Sequence, residues 1–192
     1  MAIKLRDDNK IARKVMFMGK DGSGKSTNAY KYCQVKGLNP VCIDFDNTNI
    51  GTGCPVMEID LRSHLLARNN ILQAIKDVED SEYDTLIFDN AGTMIEDISA
   101  TREKDPFGAA GSDAFKAIMK RLRKSSLNII FIVQVDFYID EPDKKQEKNN
   151  KKAVALNAWV NEKYYCWKTG DNPSNYEYHC VADKIREVKK DG

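Results

Sequence analysis

From Val15 to Ser26 the chain reads VMFMGKDGSGKS, an apolar run that breaks into a glycine-rich turn and then into helical spacing. Few folds accommodate that order of parts. Gly19, Gly24, Lys25 and Ser26 meet the pattern G-x-x-x-x-G-K-[ST], and each position has a physical task. The glycines let the backbone curl until successive N–H groups point inward at an anion. The helix opening near Lys25 adds its positive dipole end. The Lys25 ammonium reaches β and γ phosphates, and the Ser26 hydroxyl suits magnesium. The stretch Gly19, Lys20, Asp21, Gly22, Ser23, Gly24, Lys25, Ser26 and Thr27 therefore reads as a cradle for a nucleoside triphosphate, with ATP and Mg2+ as the expected ligands.

Such a loop needs a strand before it and a helix after it, and the rest of the chain continues in that alternation. Apolar runs rich in β-branched and aromatic residues occur at 14–18, 41–45, 84–89, 128–135 and 164–169, with a weaker one at 176–182. Bounded by turn residues, these predict buried strands. Helical spacing is found over 26–35, 70–78 and 112–124, the last with Ser112 or Asp113 as N-cap. Alternating strands and helices predict an α/β fold of three layers around a mostly parallel sheet. The last two strands have no helix between them and predict an antiparallel hairpin at the C-terminal end. With 192 residues, one domain is expected, with its core at about 14–188. Two segments read as mobile loops, 90–111, within which 93–99 is open to a helical turn, and the lysine-rich 141–152.

Bulk composition excludes more than it suggests. Thirty basic residues nearly balance 29 acidic ones, so global charge does not mark a nucleic-acid binder. No run of about 18 apolar residues predicts a membrane span. The opening MAIKLRDDNK carries acidic residues where a secretion signal would be apolar. The five cysteines form no C-x-x-C pair and the histidines number two, which gives a zinc site little support and predicts reduced, buried thiols in a cytoplasmic protein.

A magnesium ion on Ser26 needs a second carboxylate, and Asp89 ends an apolar strand where it emerges beside the loop. Asp84 opens that strand and belongs at the opposite edge. Asp44 and Asp46 end the strand after the first helix, within reach of a γ-phosphate, where a carboxylate can orient and deprotonate water. Because strand side chains alternate, one of the two is expected to face the nucleotide, and Asp46 at the mouth is preferred. Gln134 closes an otherwise apolar strand and is expected to be a buried amide that senses the γ-phosphate.

The order GKDGSGKST, CIDFD, EYDTLIFDN, FKAIMKRLRKSSLNIIFIVQ and ADKIR resembles the RecA-like ATPases. The resemblance is nearest to the compact phage-type AAA-domain proteins that accompany single-strand annealing and recombination. It implies that Asp46 activates water, that Gln134 senses the γ-phosphate, and that the loop after it contacts single-stranded DNA. In this chain that loop is 141–152, whose lysines can neutralise phosphates but which has no aromatic for base stacking. The resemblance also implies a homo-oligomer in which Lys184 and Arg186 reach a neighbour's nucleotide. Two other readings stay open. KDGSGKST is similar to the loop of the ParA/MinD switches, where Lys20 would cross to a partner and Asp44 would matter more. A small-molecule kinase would use 120–124 as a lid.

Overall fold

The strand runs at 14–18, 41–45, 85–88 and 129–133 are largely apolar because helices cover this part of the sheet on both sides. The computed structural model describes residues 12–48, 52–61, 64–99, 109–135, 155–169 and 176–183. Lys184, Arg186 and the stretch 141–152 lie outside them. The chain runs β1 (Lys14–Gly19), α1 (Lys25–Lys36), β2 (Pro40–Asp44), α2 (His64–Glu79), β3 (Thr85–Asp89), α3 (Ala91–Ser99), α4 (Ala109–Lys124), β4 (Asn128–Gln134), β5 (Glu162–Lys168) and β6 (Tyr176–Asp183). Six strands form one sheet in the order β2-β3-β4-β1-β5-β6. All neighbours are parallel except the β5–β6 hairpin. This is the P-loop α/β fold that the alternation predicts. No helix among the described residues is long and apolar enough to cross a membrane.

The period of two along each strand sorts the core. Met16, Met18, Leu86, Phe88, Ile129 and Phe131 pack with buried residues of α2, α3 and α4. Val15, Phe17, Ile87, Ile130 and Ile132 turn the other way, toward Ala29, Tyr32 and Cys33 of α1. Stacked Phe88 and Phe131 rings (5.5 Å) tie β3 to β4 on the first face. Phe17 and Tyr164 (5.0 Å) tie β1 to β5 on the second.

Two expectations are corrected. Much of 90–111 is helix, since α3 fills Ala91–Ser99. Ala91, Met94 and Ile98 are buried at helical spacing, and Asn90 caps the helix, its Oδ1 accepting from the Gly92 amide at 2.7 Å. The sequence NAGT reads as a turn until that cap is recognised. In addition, α4 starts at Ala109, so Ser112 and Asp113 lie inside the helix and not at its N-cap position. Of the five cysteine thiols, those of Cys33, Cys42, Cys54 and Cys166 are buried as expected, whereas Cys180 is exposed.

The edge of the sheet away from the glycine-rich turn is held by polar contacts. Asp84 Oδ1 accepts the Asn39 amide at 2.9 Å, a structural role. Glu162 is only 1% exposed. It pairs with Arg13 at 2.5 Å and accepts hydroxyls from Tyr32 and Tyr164, both at 2.9 Å. That satisfied network locks β5 in register beside β1; removing one partner would leave a buried charge unpaired.

Lys14 gives this edge a pH signature. Its Nζ donates to the carbonyls of Leu127 (2.5 Å) and Ser125 (3.3 Å), and burial pulls the amine down to about 8, against a weaker upward pull from Glu79. Below pH 8 both folded and unfolded chains hold the proton and the burial penalty is fully present. Between about 8 and 10.5 the folded chain has lost a proton that the unfolded chain keeps, so stability rises with pH. Burial holds the thiols of Cys33, Cys54 and Cys166 up at about 12, 11 and 12, from an ordinary 9.0, and the unfolded chain begins to lose these protons below pH 9, which opposes the rise. The contribution of Lys14 is therefore read as a difference. Between pH 8 and 9, urea titrations are expected to show the unfolding free energy of the parent, less that of Lys14→Met, rising by at most about 1 kcal/mol per pH unit. A flat difference would remove Lys14 as the source.

Candidate functional site

Where β1 ends, the chain turns through 20–24 into α1 with left-handed backbone at Gly22 (φ 68°) and Gly24 (φ 74°), conformations that glycine holds without strain. Gly24 is the N-cap of α1 and no side chain caps the helix. The amides of its first turn, which have no acceptor within the helix, thus border a cavity of about 320 Å³ lined by Asp21, Gly22, Gly24, Lys25, Ser26 and Thr27. Asp46, Thr48, Thr52, Asp89, Asn90, Gln134 and Tyr176 complete the wall. Its size suits a small polar ligand.

Two glycines also answer to packing. A Cβ on Gly19 would sit 2.6 Å from the Cys166 carbonyl oxygen of β5, and one on Gly24 would enter the Tyr176 ring of β6, 2.5 Å from Cδ1. Gly19, Lys20 and Ser23 shape the loop from behind. The Lys20 carbonyl accepts both Lys25 Nζ (2.6 Å) and the Ser23 amide (3.3 Å). The Lys20 side chain is exposed, and Ser23 is buried. Burial pulls the Lys25 amine below its ordinary range, with Asp21 as the largest opposing influence. Asp21 Oδ1 in turn accepts the Gly22 amide at 2.9 Å.

β3 brings Asp89 to the loop, and Ser26 Oγ donates to Asp89 Oδ2 at 2.6 Å. Burial pushes the Asp89 carboxyl up; the Ser26 hydrogen bond pulls it down, and nearby Asp44 and Asp46 add to the upward push. A cation would relieve that crowding of negative charge. Two hard oxygen donors at one point fit magnesium, which takes one or two protein ligands and fills its shell from phosphates and water. The Asp89–Asn90 peptide bond is cis.

Asp46 lines the cavity, whereas Asp44 is not among its lining residues and accepts the Asp46 amide at 3.2 Å. Alternation is not the reason, because residues two apart on a strand share a face. β2 ends at Asp44 and the chain bends through Phe45 to Asn47, whose φ is 53°, and this turn carries Asp46 outward. Gln134 also lines the cavity, in register with Gly19 across β1 and β4. It is exposed there and not a buried amide. β4 lies between β1 and β3, so Gln134 stands between the loop and Asp89.

Four lining residues were outside the sequence expectation. Asn90 follows Asp89 directly, and Thr48 and Thr52 follow Asp46 in a run of small polar residues, so proximity was the available signal. Tyr176 has no local signal, because only the return of β6 brings it to the loop. No curated protein matches the chain. The family model described as AAA domain matches residues 11–166, which takes in the glycine-rich loop, Asp89, Gln134 and most of β5, and the chain belongs to that family of AAA-type P-loop ATPases.

Proposed function

We propose that the protein binds ATP with Mg2+, hydrolyses it, and couples this to single-stranded DNA in annealing or recombination as a homo-oligomer. The observation that carries the hydrolytic part is convergence. Asp89 with Ser26, Asp46, and Gln134 come from the ends of β3, the turn after β2, and β4, and all border the cavity that the glycine-rich loop opens. That is a phosphate cradle, a magnesium anchor and a water-orienting carboxylate in one place.

Lys25 exchanges the Lys20 carbonyl for β and γ phosphate oxygens, and the amides of 22–27 hold the remaining phosphates. Asp89 and Ser26 would hold and orient magnesium, which would offset phosphate charge there. Asp46 takes the proton of the attacking water, and Gln134 donates to the γ-phosphate or to that water. Lys184 and Arg186 are assigned to a neighbouring subunit's nucleotide, and the lysines of 141–152 to the DNA backbone. The five cysteines are thiols outside any disulfide, which supports a reducing, cytoplasmic setting.

The test is phosphate release from ATP with magnesium, with excess chelator, and with single-stranded DNA, alongside mass by light scattering. Magnesium-dependent turnover that rises severalfold with DNA, together with growth in mass, is expected. Absence of turnover under every condition would remove the hydrolytic reading. Turnover indifferent to DNA would remove the DNA part alone.

A further inference from the structure

We infer that Tyr176 is the wall on which the base of the bound nucleotide stacks, making the β5–β6 hairpin part of the binding site. The inference rests on the cavity being a nucleotide site. Its starting point is sheet order: β2, β3 and β4 lie on one side of β1, β5 and β6 on the other. Asp46, Asp89 and Gln134 all come from the first side. A polyphosphate whose reacting end lies among them runs back along the loop, so its nucleoside leaves toward the second side. Tyr176, the first residue of β6, stands there, and it is the one aromatic ring among the described lining residues.

The ring is held in place. It packs on Gly24 so closely that any Cβ at that position would enter it. Behind it, Asn28 Nδ2 of α1 donates to the carbonyl of Glu177 at 3.1 Å, fastening β6 to the helix that the loop opens. An aromatic face so fixed offers stacking at little further loss of freedom, and stacking accepts any base because every base has a π-face. The site should therefore distinguish nucleotides from bare polyphosphate more strongly than it distinguishes ATP from GTP.

Calorimetry on the full chain with magnesium and ATP, GTP or inorganic tripolyphosphate tests this. Tyr176→Ala is expected to weaken both nucleotides by about 5- to 100-fold and to leave tripolyphosphate within about twofold. Tyr176→Phe should keep the parent affinities. Tyr176→Leu retains apolar bulk against Gly24 and should behave as alanine does, which serves if the alanine variant does not fold. Fluorescence of an etheno-adenine triphosphate should be quenched by the parent and not by the leucine variant. Equal losses for nucleotide and tripolyphosphate would make the ring a mere prop of the loop and overturn the inference, as would unchanged nucleotide affinity in the leucine variant. A parent chain that binds neither ligand would instead sink the nucleotide site itself.

Discussion

Lys25→Ala is expected to weaken binding of magnesium-ATP by about 100-fold or more, while the melting temperature moves by no more than about 2 °C. The two halves have separate physical causes. In the structure the ammonium rests on the carbonyl of Lys20 at 2.6 Å, a neighbour in its own loop. Burial already disfavours its charge there. Removing the side chain deletes one hydrogen bond and relieves a desolvated charge, and these two effects offset each other in the fold. With polyphosphate bound, the same ammonium faces concentrated negative charge at the mouth of a helix, where a charge-assisted contact is strong. Lys25→Arg should restore little, since the planar guanidinium is wider than a compact ammonium and the loop curls tightly through Gly22 and Gly24. Equilibrium dialysis checks the affinity, and thermal unfolding without ligand checks the fold. Tight ATP binding by the alanine variant would move the phosphate site elsewhere.

What could be read from the residues alone divides by distance along the chain. The loop was legible because its chemistry is packed into 19–27, and its strand and helix are adjacent. The parallel sheet was legible because double coverage leaves long apolar runs, such as NIIFIVQ in β4. The start of α3 was not legible, because one asparagine serves equally in a turn or as a cap, and only the buried Ala91, Met94 and Ile98 behind Asn90 decide. Gln134 was placed at the strand end, yet its exposure depends on the cavity beside it, which no strand pattern contains. Tyr176 was out of reach altogether. The hairpin itself was expected, but Tyr176 meets Gly24 through the register that sets it opposite Lys168, and register is fixed by pairing across the strands, not by local sequence.

Asp46→Asn is expected to lower turnover by about 100- to 1,000-fold while nucleotide affinity stays within about threefold, or improves. A base must accept a proton in the transition state, and an amide cannot; the loss falls on the chemical step. Affinity holds because the substituted amide would keep the shape of the wall and remove a negative charge from the neighbourhood of polyphosphate. Asp44→Asn makes the control. Its Oδ1 accepts the Asp46 amide at 3.2 Å, a bond that an asparagine oxygen can still accept, so turnover should fall by no more than about fivefold. The contrast depends on the bend after β2, which carries Asp46 to the cavity wall and leaves Asp44, the last residue of the strand, out of it. Single-turnover phosphate release separates the cases, since it reports the chemical step apart from product release. If Asp44→Asn proved the slower of the two, the bend would have to straighten when nucleotide binds, and the role of base would pass to Asp44.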